Sequence, residues 1–232
     1  MSAYLFPPPA TAALPVLGQA ARFPVNRIFC VGRNYAAHAA EMGSEVDREA
    51  PFYFTKSARA LLESGAVLAY PPGTKDLHHE IELVLALGAP AFRVAPDRAM
   101  AAVWGYGSGL DMTRRDLQAR AKAKQRPWSL AKDFEGSAVL SALTPAADFT
   151  PASQAIRLEV NGSPRQSGRI DEMVWSLPEL IADLSHYYYL VPGDIIMTGT
   201  PSGVGAVGPG DRLAGGIEGL VPVELTIGPE QV

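Results

Sequence analysis

Glycine and proline interrupt this chain so often that few long helices or strands fit between them. The 232 residues include 22 glycines and 20 prolines, which are the strongest local breaks in regular structure. The apolar runs between these breaks are short, and one of them, His79–Leu87, is rich in isoleucine, leucine and valine. The pattern predicts an α+β fold that is rich in short strands and has only a few short helices.

Several segments carry clear boundary signals. Asn161-Gly162 separates two strand-like runs and predicts a β-hairpin, while Ser176 followed by Pro178 and Glu179 predicts the start of a helix. Thr113, with Asp116 three residues later, predicts a second capped helix. In all we expect strands at 27–31, 52–55, 67–70, 79–87, 105–112, 156–160, 164–168, 194–198 and 221–227, with helices at 34–42, 96–103, 113–124 and 176–188.

Charge and composition exclude several classes of function. The net charge is -4, and the only basic stretch, 114–126, is interrupted by Asp116, which favours a solvated helix face over a nucleic-acid site. No apolar stretch approaches the roughly 20 residues of a membrane span. Cys30 is the single cysteine and lies in an apolar run, so we expect it to be buried and unpaired. The N-terminal stretch lacks a secretory pattern, and we expect a cytoplasmic protein without nucleic-acid or membrane partners.

Glu80-Ile81-Glu82 is the sharpest chemical signal in the chain. Residues two apart in a strand point to the same face, so both carboxylates are expected to project together among apolar neighbours. Like charges in such a place repel each other and are costly to desolvate, and a bound cation would compensate for this cost. A solvent-facing edge strand explains the same spacing, and the pair alone does not decide between these interpretations.

Asp111 adds a third carboxylate, at the point where an extended stretch meets a predicted helix. Three carboxylates without thiolates or paired imidazoles suit Mg²⁺, Mn²⁺ or Ca²⁺ better than Zn²⁺. His78 and His79 are adjacent and face opposite sides of a strand, so they do not chelate a metal together. The sequence thus offers Glu80, Glu82 and Asp111 as metal ligands.

Other candidate residues are weaker when taken singly. His38 and Glu41 are three apart in a helical run, which is the spacing of a carboxylate that orients a general base and also that of a surface ion pair. Lys132 is a lone cation in a largely apolar segment. Residues 203–208 match a dinucleotide-binding glycine pattern, but Pro209 prevents the helix which that motif requires. Residues 198–203 form a loop suited to cradling a carboxylate, although a plain turn explains them equally well.

In their order along the chain these motifs resemble the fumarylacetoacetate hydrolase family. The resemblance covers about residues 25–227 and rests on segments 31–41, 52–56, 78–82, 110–118, 126–132, 161–166 and 193–205. Within the family, the segments 111–116 and 126–128 are most similar to bacterial members that hydrolyse fumarylpyruvate during gentisate degradation. Ser57 and Val139 stand where relatives often have proline, which leaves the fine specificity open.

The resemblance implies a mixed β-sheet roll, a homodimer and a Mg²⁺ or Mn²⁺ site, with Ca²⁺ as a further option, at Glu80, Glu82 and Asp111. The chain itself, which has no linker that divides the core, predicts a single catalytic domain at 24–232, preceded by an irregular leader or cap at 1–23. The resemblance places His38 and Glu41 on a lid segment as catalytic residues, together with Lys132. The expected substrate contacts are Arg33, Lys56, Gln118 and Thr200.

The implied reaction splits an acylpyruvate, most simply fumarylpyruvate into fumarate and pyruvate. In this scheme His38 activates a water molecule, Lys132 stabilises oxyanion charge, and Arg33 binds the distal carboxylate. Decarboxylation of oxaloacetate and hydrolysis of other acylpyruvates use the same chemistry and remain alternatives. A non-catalytic protein that binds a small acid is a more distant alternative, which the presence of both His38 and Glu41 disfavours.

Overall fold

The computed structural model describes residues 4–43, 45 and 47–230, which form four β-sheets with short helices packed around them. The strands are β1 (Ala13–Val16), β2 (Gln19–Pro24), β3 (Arg27–Gly32), β4 (Phe52–Lys56), β5 (Leu61–Glu63), β6 (Ala66–Tyr70), β7 (Leu77–His79), β8 (Ile81–Leu87), β9 (Val103–Asp111), β10 (Thr113–Arg114), β11 (Ala138–Leu140), β12 (Thr144–Pro145), β13 (Ala155–Val160), β14 (Ser163–Arg169), β15 (Asp194–Met197), β16 (Gly205–Val207), β17 (Arg212–Ile217) and β18 (Val223–Glu230). The α-helices are α1 (Ala36–Glu41), α2 (Pro96–Ala99), α3 (Arg115–Ala123), α4 (Ser129–Lys132) and α5 (Leu177–Tyr187).

Two large sheets enclose the core. The first has the order β4-β3-β15-β8-β9-β11-β5, with β12 paired to β9, and the second has the order β14-β13-β17-β18-β6. Most neighbouring strands are antiparallel, but β15 with β3, β11 with β5 and β18 with β6 are parallel. The sheets are therefore mixed, and the prediction of a β-rich α+β fold is confirmed. No helix in the described ranges is both long enough and apolar enough to cross a membrane.

Strand β8 lies at the centre of the first sheet and is buried on both faces. Leu83 and Leu85 point into the core between the two large sheets, whereas Val84 and Ala86 point into a second apolar cluster on the opposite side. Cys30 belongs to that second cluster and is fully buried, as expected. Because β8 has no solvent-facing side, a carboxylate on this strand needs a partner other than water.

The N-terminal segment differs from the irregular leader that the sequence predicted. β1 and β2 form an antiparallel hairpin, and Leu14, Val16 and Phe23 of this hairpin are buried in the second cluster. The three prolines at 7–9 lie before this hairpin and do not interrupt it. The hairpin covers the face of β8 that would otherwise be exposed. The division of the chain into a leader and one catalytic domain stays a prediction.

Glycines in β9 allow the neighbouring chain to pack closely against it. A Cβ at Gly105 would lie 2.7 Å from the backbone oxygen of Thr144, and a Cβ at Gly109 would lie 2.6 Å from a methyl carbon of Leu140. Both glycines fall on the same face of the strand. The close packing fixes the end of β9, where Asp111 lies opposite Ala138 of β11.

Of the other local predictions, two are confirmed and the start of one helix is wrong. The hairpin at Asn161-Gly162 and the helix capped by Ser176 and Glu179 are both present. The capped helix at Thr113 was wrong in its start, because α3 begins at Arg115 and the Thr113 hydroxyl bonds to the Asp111 carbonyl instead. The helix predicted at 96–103 is present as α2 followed by a 3-10 turn at Met100–Ala102, and only Val103 differs because it already belongs to β9.

Candidate active site

Three buried carboxylates converge where β7, β8 and β9 meet. Glu80 lies in the one-residue gap between β7 and β8, Glu82 lies on β8, and Asp111 ends β9. The backbone N–H of Asp111 donates to the Glu80 carbonyl at 2.9 Å, which ties the two strand ends together. One carboxylate oxygen from each residue lies within 4.8 Å of the others, and all three residues are buried. The sequence-based grouping of these residues is therefore matched by their positions.

Two cations contact the Glu80 side of this acidic cluster. Lys132 Nζ, at the end of α4, donates to Glu80 Oε2 and to Asp111 Oδ2, both at 2.7 Å. Arg115 Nη2, at the start of α3, donates to Glu80 Oε1. Lys132 was expected to act on the reacting oxygen atoms, and the structure shows that it also bridges two of the carboxylates.

Burial affects Glu80 and Glu82 in different ways. Burial alone would raise the pKa of Glu80, but the charges of Lys132 and Arg115 outweigh it and hold this pKa far below its usual range. For Glu82, burial and then the negative charges of Asp111 and Glu80 raise the pKa well above its usual value. Its Oε2 accepts a backbone N–H from Gly199 at 2.8 Å. Among the described residues no Lys or Arg side chain forms an ion pair with Glu82, so this carboxylate is the one that nearby cations balance least.

The donor set fits a hard divalent cation. All three ligands are carboxylates, and Mg²⁺, Mn²⁺ and Ca²⁺ prefer oxygen donors. Asp111 Oδ1 is buried without a hydrogen bond of good geometry among the described residues, although Lys56 Nζ lies 2.9 Å away. Asp111 Oδ1 and the Glu82 carboxylate therefore remain able to bind a cation. The cluster can therefore hold a divalent metal.

His38 and Glu41 form the pair that their spacing predicted. His38 Nδ1 lies 3.1 Å from Glu41 Oε2 on α1, and His38 is buried. The Glu41 carboxylate also accepts the backbone N–H of Gly203, at 3.0 Å for Oε1 and 3.2 Å for Oε2. Because Glu41 engages Nδ1, the other ring nitrogen, Nε2, is the one available to accept a proton.

A buried amide fixes the direction of the Thr200 hydroxyl. Gln166 Nε2 donates to Thr200 Oγ1 at 2.8 Å, and Gln166 Oε1 accepts from the backbone N–H of Ile81 at 3.0 Å. His79 Nδ1 lies 3.0 Å from the same Gln166 oxygen. Because Gln166 already donates to Thr200, the threonine hydroxyl is left to donate its own proton to another acceptor.

The remaining candidate residues divide into two groups. Arg33, His38, Gln118, Lys132 and Thr200 line one small cavity, of about 30 Å³, together with Glu80 and Glu82. Lys56 was expected to contact substrate, but it lines neither this cavity nor the larger cleft of about 610 Å³ beside it. Its Nζ is buried against Asp111 and 2.9 Å from Ser137 Oγ. Its geometry supports a role in holding Asp111 rather than in touching substrate.

Sequence reasoning missed two residues of the site. Arg115 contacts Glu80 and also donates to Gln118 Oε1 at 2.6 Å, and Gln166 holds Thr200. A signal existed for Arg115, because Arg115 and Gln118 are three apart on a helix, which places them on one face. Nothing local marks Gln166, which contacts residues 34 and 87 positions away along the chain.

Comparison with known proteins places the site in context. Residues 27–228 match the family model described as Fumarylacetoacetate (FAA) hydrolase C-terminal. The fumarylpyruvate hydrolase of Ralstonia sp is 52% identical over 192 residues, which are 82% of this chain and 100% of that protein. The oxaloacetate tautomerase of Escherichia coli is 42% identical over 193 residues, covering 82% of this chain and 88% of that protein.

A solved structure supports both the fold and the metal site. Fumarylpyruvate hydrolase from Pseudomonas aeruginosa, in complex with Mn²⁺ and pyruvate, superposes with a TM-score of 0.95 at 45% identity, covering 98% of this chain and 100% of that one. The superposition confirms the predicted mixed-sheet roll. That relative holds a divalent metal together with a small oxo acid.

Proposed function

The chain belongs to the fumarylacetoacetate hydrolase family, and from this membership we propose that it hydrolyses a carbon–carbon bond in an acylpyruvate. The substrate of the proposal is fumarylpyruvate, which gives fumarate and pyruvate. One observation supports it most: the buried carboxylates Glu80 and Glu82 line one cavity together with His38, whose ring Glu41 contacts at Nδ1. The relative from Ralstonia sp, 52% identical, is a fumarylpyruvate hydrolase.

The proposed roles follow from the contacts. Glu80, Glu82 and Asp111 hold the divalent cation, which when bound supplies Lewis-acid stabilisation of negative charge on the pyruvyl oxygens. His38 Nε2 accepts a proton from water while Glu41 holds the ring at Nδ1. The resulting hydroxide attacks the carbonyl distal to the pyruvyl group. The carbon–carbon bond then breaks, its electron pair remains on the pyruvyl fragment, and protonation of that fragment gives pyruvate.

Four further side chains assist in this scheme. Lys132 reduces negative charge at Glu80 and Asp111 and donates toward the reacting oxygens, while the Thr200 hydroxyl donates a hydrogen bond to the substrate carboxylate. Gln118, oriented by Arg115, contacts the pyruvyl end. Arg33, which lines the same cavity, binds the distal carboxylate. Closure of α1 as a lid over substrate belongs to the same proposal.

A second candidate function is enol chemistry on oxaloacetate. The Escherichia coli relative, 42% identical, is an oxaloacetate tautomerase, and oxaloacetate carries the same 2-oxo acid end. Removal of a proton next to that group needs the same cation site and a nearby base. Decarboxylation of oxaloacetate and hydrolysis of other acylpyruvates use this end of the site as well.

Incubation of the Mn²⁺-loaded protein with fumarylpyruvate, acetylpyruvate and oxaloacetate tests the proposal. We expect release of pyruvate fastest from fumarylpyruvate, with fumarate formed in equal amount and no carbon dioxide. Release of carbon dioxide from oxaloacetate, or conversion of its enol form alone, would favour the second candidate. If neither fumarylpyruvate nor acetylpyruvate released pyruvate, the hydrolase assignment would be refuted.

Two properties of the whole protein complete the proposal. We propose a homodimer, as the family resemblance implies, and light scattering at micromolar concentration is expected to give twice the mass of the chain. We also propose a cytoplasmic location, which the single buried Cys30 supports because the chain has no pair of cysteines to oxidise. Fractionation of the source cells tests the location.

A further inference from the structure

We propose that Lys122 and Arg33 together form the subsite for the second carboxylate of a planar, unsaturated dicarboxylic substrate. This inference rests on the proposed hydrolysis of an acylpyruvate and specifies what lies at the far end of that substrate. Sequence reasoning placed Lys122 on a solvated helix face and assigned it no role. The structure places its side chain, half-buried at the end of α3, at the cavity above the acidic cluster.

Two neighbouring spaces share the residues in question. The small cavity over Glu80 and Glu82 adjoins a cleft of about 610 Å³, and Arg33, Phe54, Lys122, Trp128 and Lys132 line both. The small cavity has room for little more than one water molecule, so most of a substrate must extend into the cleft. Lys122 and Arg33 lie along that path.

An aromatic wall connects the acidic cluster to the two cations. Lys132 Nζ lies 4.9 Å from the centre of the Phe54 ring, and the Phe54 and Trp128 rings are 6.0 Å apart. Lys122 Nζ lies 5.4 Å from the centre of the Trp128 ring. The wall thus begins at Lys132, which bridges Glu80 and Asp111, and ends at the ammonium group of Lys122, for which the part of the chain that the structure describes offers no carboxylate partner.

Arg33 approaches the same wall from the other side. Its guanidinium carbon lies 5.5 Å from the centre of the Phe52 ring, and Phe52 is 4.6 Å from Trp128. Arg33 adopts φ 59°, a backbone conformation that is uncommon for a residue with a side chain. Residues with such strain cluster at active sites and ligand clamps.

Neither cation has a carboxylate partner in residues 4–43, 45 and 47–230. Within the same ranges, Arg33 Nε is buried without a hydrogen-bond acceptor. Burial lowers the pKa of Lys122, and the positive charges of Arg33 and Arg115 lower it further. Two like charges that share a partly buried site repel each other, and an anion from outside the chain would relieve that repulsion.

The chemistry of the ligand follows from these features. The acidic cluster with its cation takes the 2-oxo acid end, the aromatic wall suits a flat conjugated carbon chain, and the cation pair takes a carboxylate. Charge-assisted hydrogen bonds from two cations are worth far more than a contact to a neutral acyl group. We therefore expect the pair to distinguish dicarboxylic from monocarboxylic acylpyruvates.

The test compares Lys122→Met with Lys124→Met in the Mn²⁺-loaded protein. Methionine keeps the apolar stem against Trp128 and removes the charge. Lys124 is the exposed residue at the end of the same helix and lines neither space, so its variant controls for loss of charge near that helix end. Lys122→Arg, which keeps the charge, is expected to retain most of the wild-type preference.

The first readout is binding of fumarate by calorimetry with pyruvate at saturation, so that only the distal end of the site remains open. We expect Lys122→Met to weaken fumarate binding by about tenfold or more, with pyruvate binding altered by less than about twofold. Lys124→Met is expected to match the wild type. Unchanged fumarate binding in Lys122→Met, or equal weakening of fumarate and pyruvate, would overturn the subsite.

The second readout is turnover. We expect the KM for fumarylpyruvate to rise by about tenfold in Lys122→Met, with kcat/KM for acetylpyruvate within about twofold of wild type. An equal loss on both substrates would indicate a structural role for Lys122 and overturn the inference. If the wild type released no pyruvate at all, the proposed function would fail, and the fumarate titration would still decide whether Lys122 binds a carboxylate.

Discussion

At the scale of single residues, Glu80 and Glu82 differ although only Ile81 separates them. Glu80 contacts Lys132 and Arg115 and is held ionised, whereas Glu82 accepts a backbone N–H from Gly199 and its pKa is raised. One carboxylate is thus balanced by the protein itself. Glu82 has no such partner among the described residues, and a bound cation would balance its charge.

His38→Ala tests the general base. Loss of the ring nitrogen that accepts the proton from water is expected to lower kcat for fumarylpyruvate by about two to four orders of magnitude. Steady-state release of pyruvate measures this effect, and Mn²⁺ affinity is expected to stay as in the wild type. The control is His186→Ala on the exposed side of α5, which should leave kcat unchanged. Near-normal turnover in His38→Ala would rule out the assignment.

At the scale of elements, the loop after β15 links the two halves of the site. Its backbone N–H groups at Gly199 and Gly203 donate to Glu82 of the acidic cluster and to Glu41 of the His38–Glu41 pair. Both glycines have positive φ angles, of 98° and 94°. The loop therefore ties the proposed metal ligands to the proposed base without supplying either.

Gly203→Ala tests that coupling, with Gly210→Ala as the matched control. Both glycines have φ 94°, so both substitutions carry the same backbone strain, about 1–2 kcal/mol. A Cβ at Gly203 would lie 2.0 Å from the Arg165 carbonyl oxygen, whereas Gly210 has open space. We expect Gly203→Ala to lose more unfolding free energy in urea and to lower kcat. Equal behaviour of the two variants would show that the loop does not position Glu41.

Asp116 gives α3 a pH-dependent attachment to the loop before β7. Its carboxylate accepts hydrogen bonds from the Thr74 hydroxyl and the Lys75 N–H. Burial alone would raise its pKa, but these bonds outweigh burial and lower the pKa below the usual 3.8. Because the folded-state pKa is the lower one, the stabilisation is present above pH 3.8 and is lost as pH falls through the folded-state value.

Asp116→Asn is accordingly expected to be less stable than the wild type at pH 7. The difference in unfolding free energy should shrink as the pH falls below about 4, because the unfolded wild-type chain then takes up a proton at Asp116 before the folded chain does. Urea unfolding between pH 7 and pH 3 measures it. Asp148→Asn, at an exposed aspartate, should show no such trend. A constant difference for Asp116→Asn across this range would contradict the linkage.

At the scale of the whole molecule, metal binding is expected to stabilise the fold, because the ligands come from two strands and an inter-strand gap that only the folded sheet brings together. At a Mn²⁺ concentration a hundred times its Kd, the gain is about 2.7 kcal/mol. Thermal unfolding with Mn²⁺, and again after EDTA, measures this gain. EDTA should also abolish turnover.

Glu82→Gln separates the metal effect from loss of packing. The amide keeps an oxygen for the Gly199 N–H but removes the charge, so we expect a folded protein whose Tm no longer rises with Mn²⁺. Glu159→Gln, at an exposed position of β13, should respond to Mn²⁺ as the wild type does. A full Mn²⁺ response in Glu82→Gln would exclude that residue as a ligand.

Local sequence was sufficient for much of this protein. Alternation along 80–82 placed both glutamates on one face even though β7 and β8 break at Glu80, since the two-residue repeat survives the break. The hairpin at Asn161-Gly162 and the Ser176 cap followed from contacts within a few residues. The motif order was enough to predict the family and the roll, and the carboxylate chemistry was enough to predict the class of metal.

Tertiary structure alone decided which residues complete the site. Lys132 reaches Glu80 across 52 positions of the chain, and Lys56 lies against Asp111 rather than along the substrate path. Packing likewise decides the burial of the N-terminal hairpin and the position of Lys122 at the cavity. Periodicity reports only which way a side chain leaves its own element, whereas the charge balance of a buried site depends on every element that meets there.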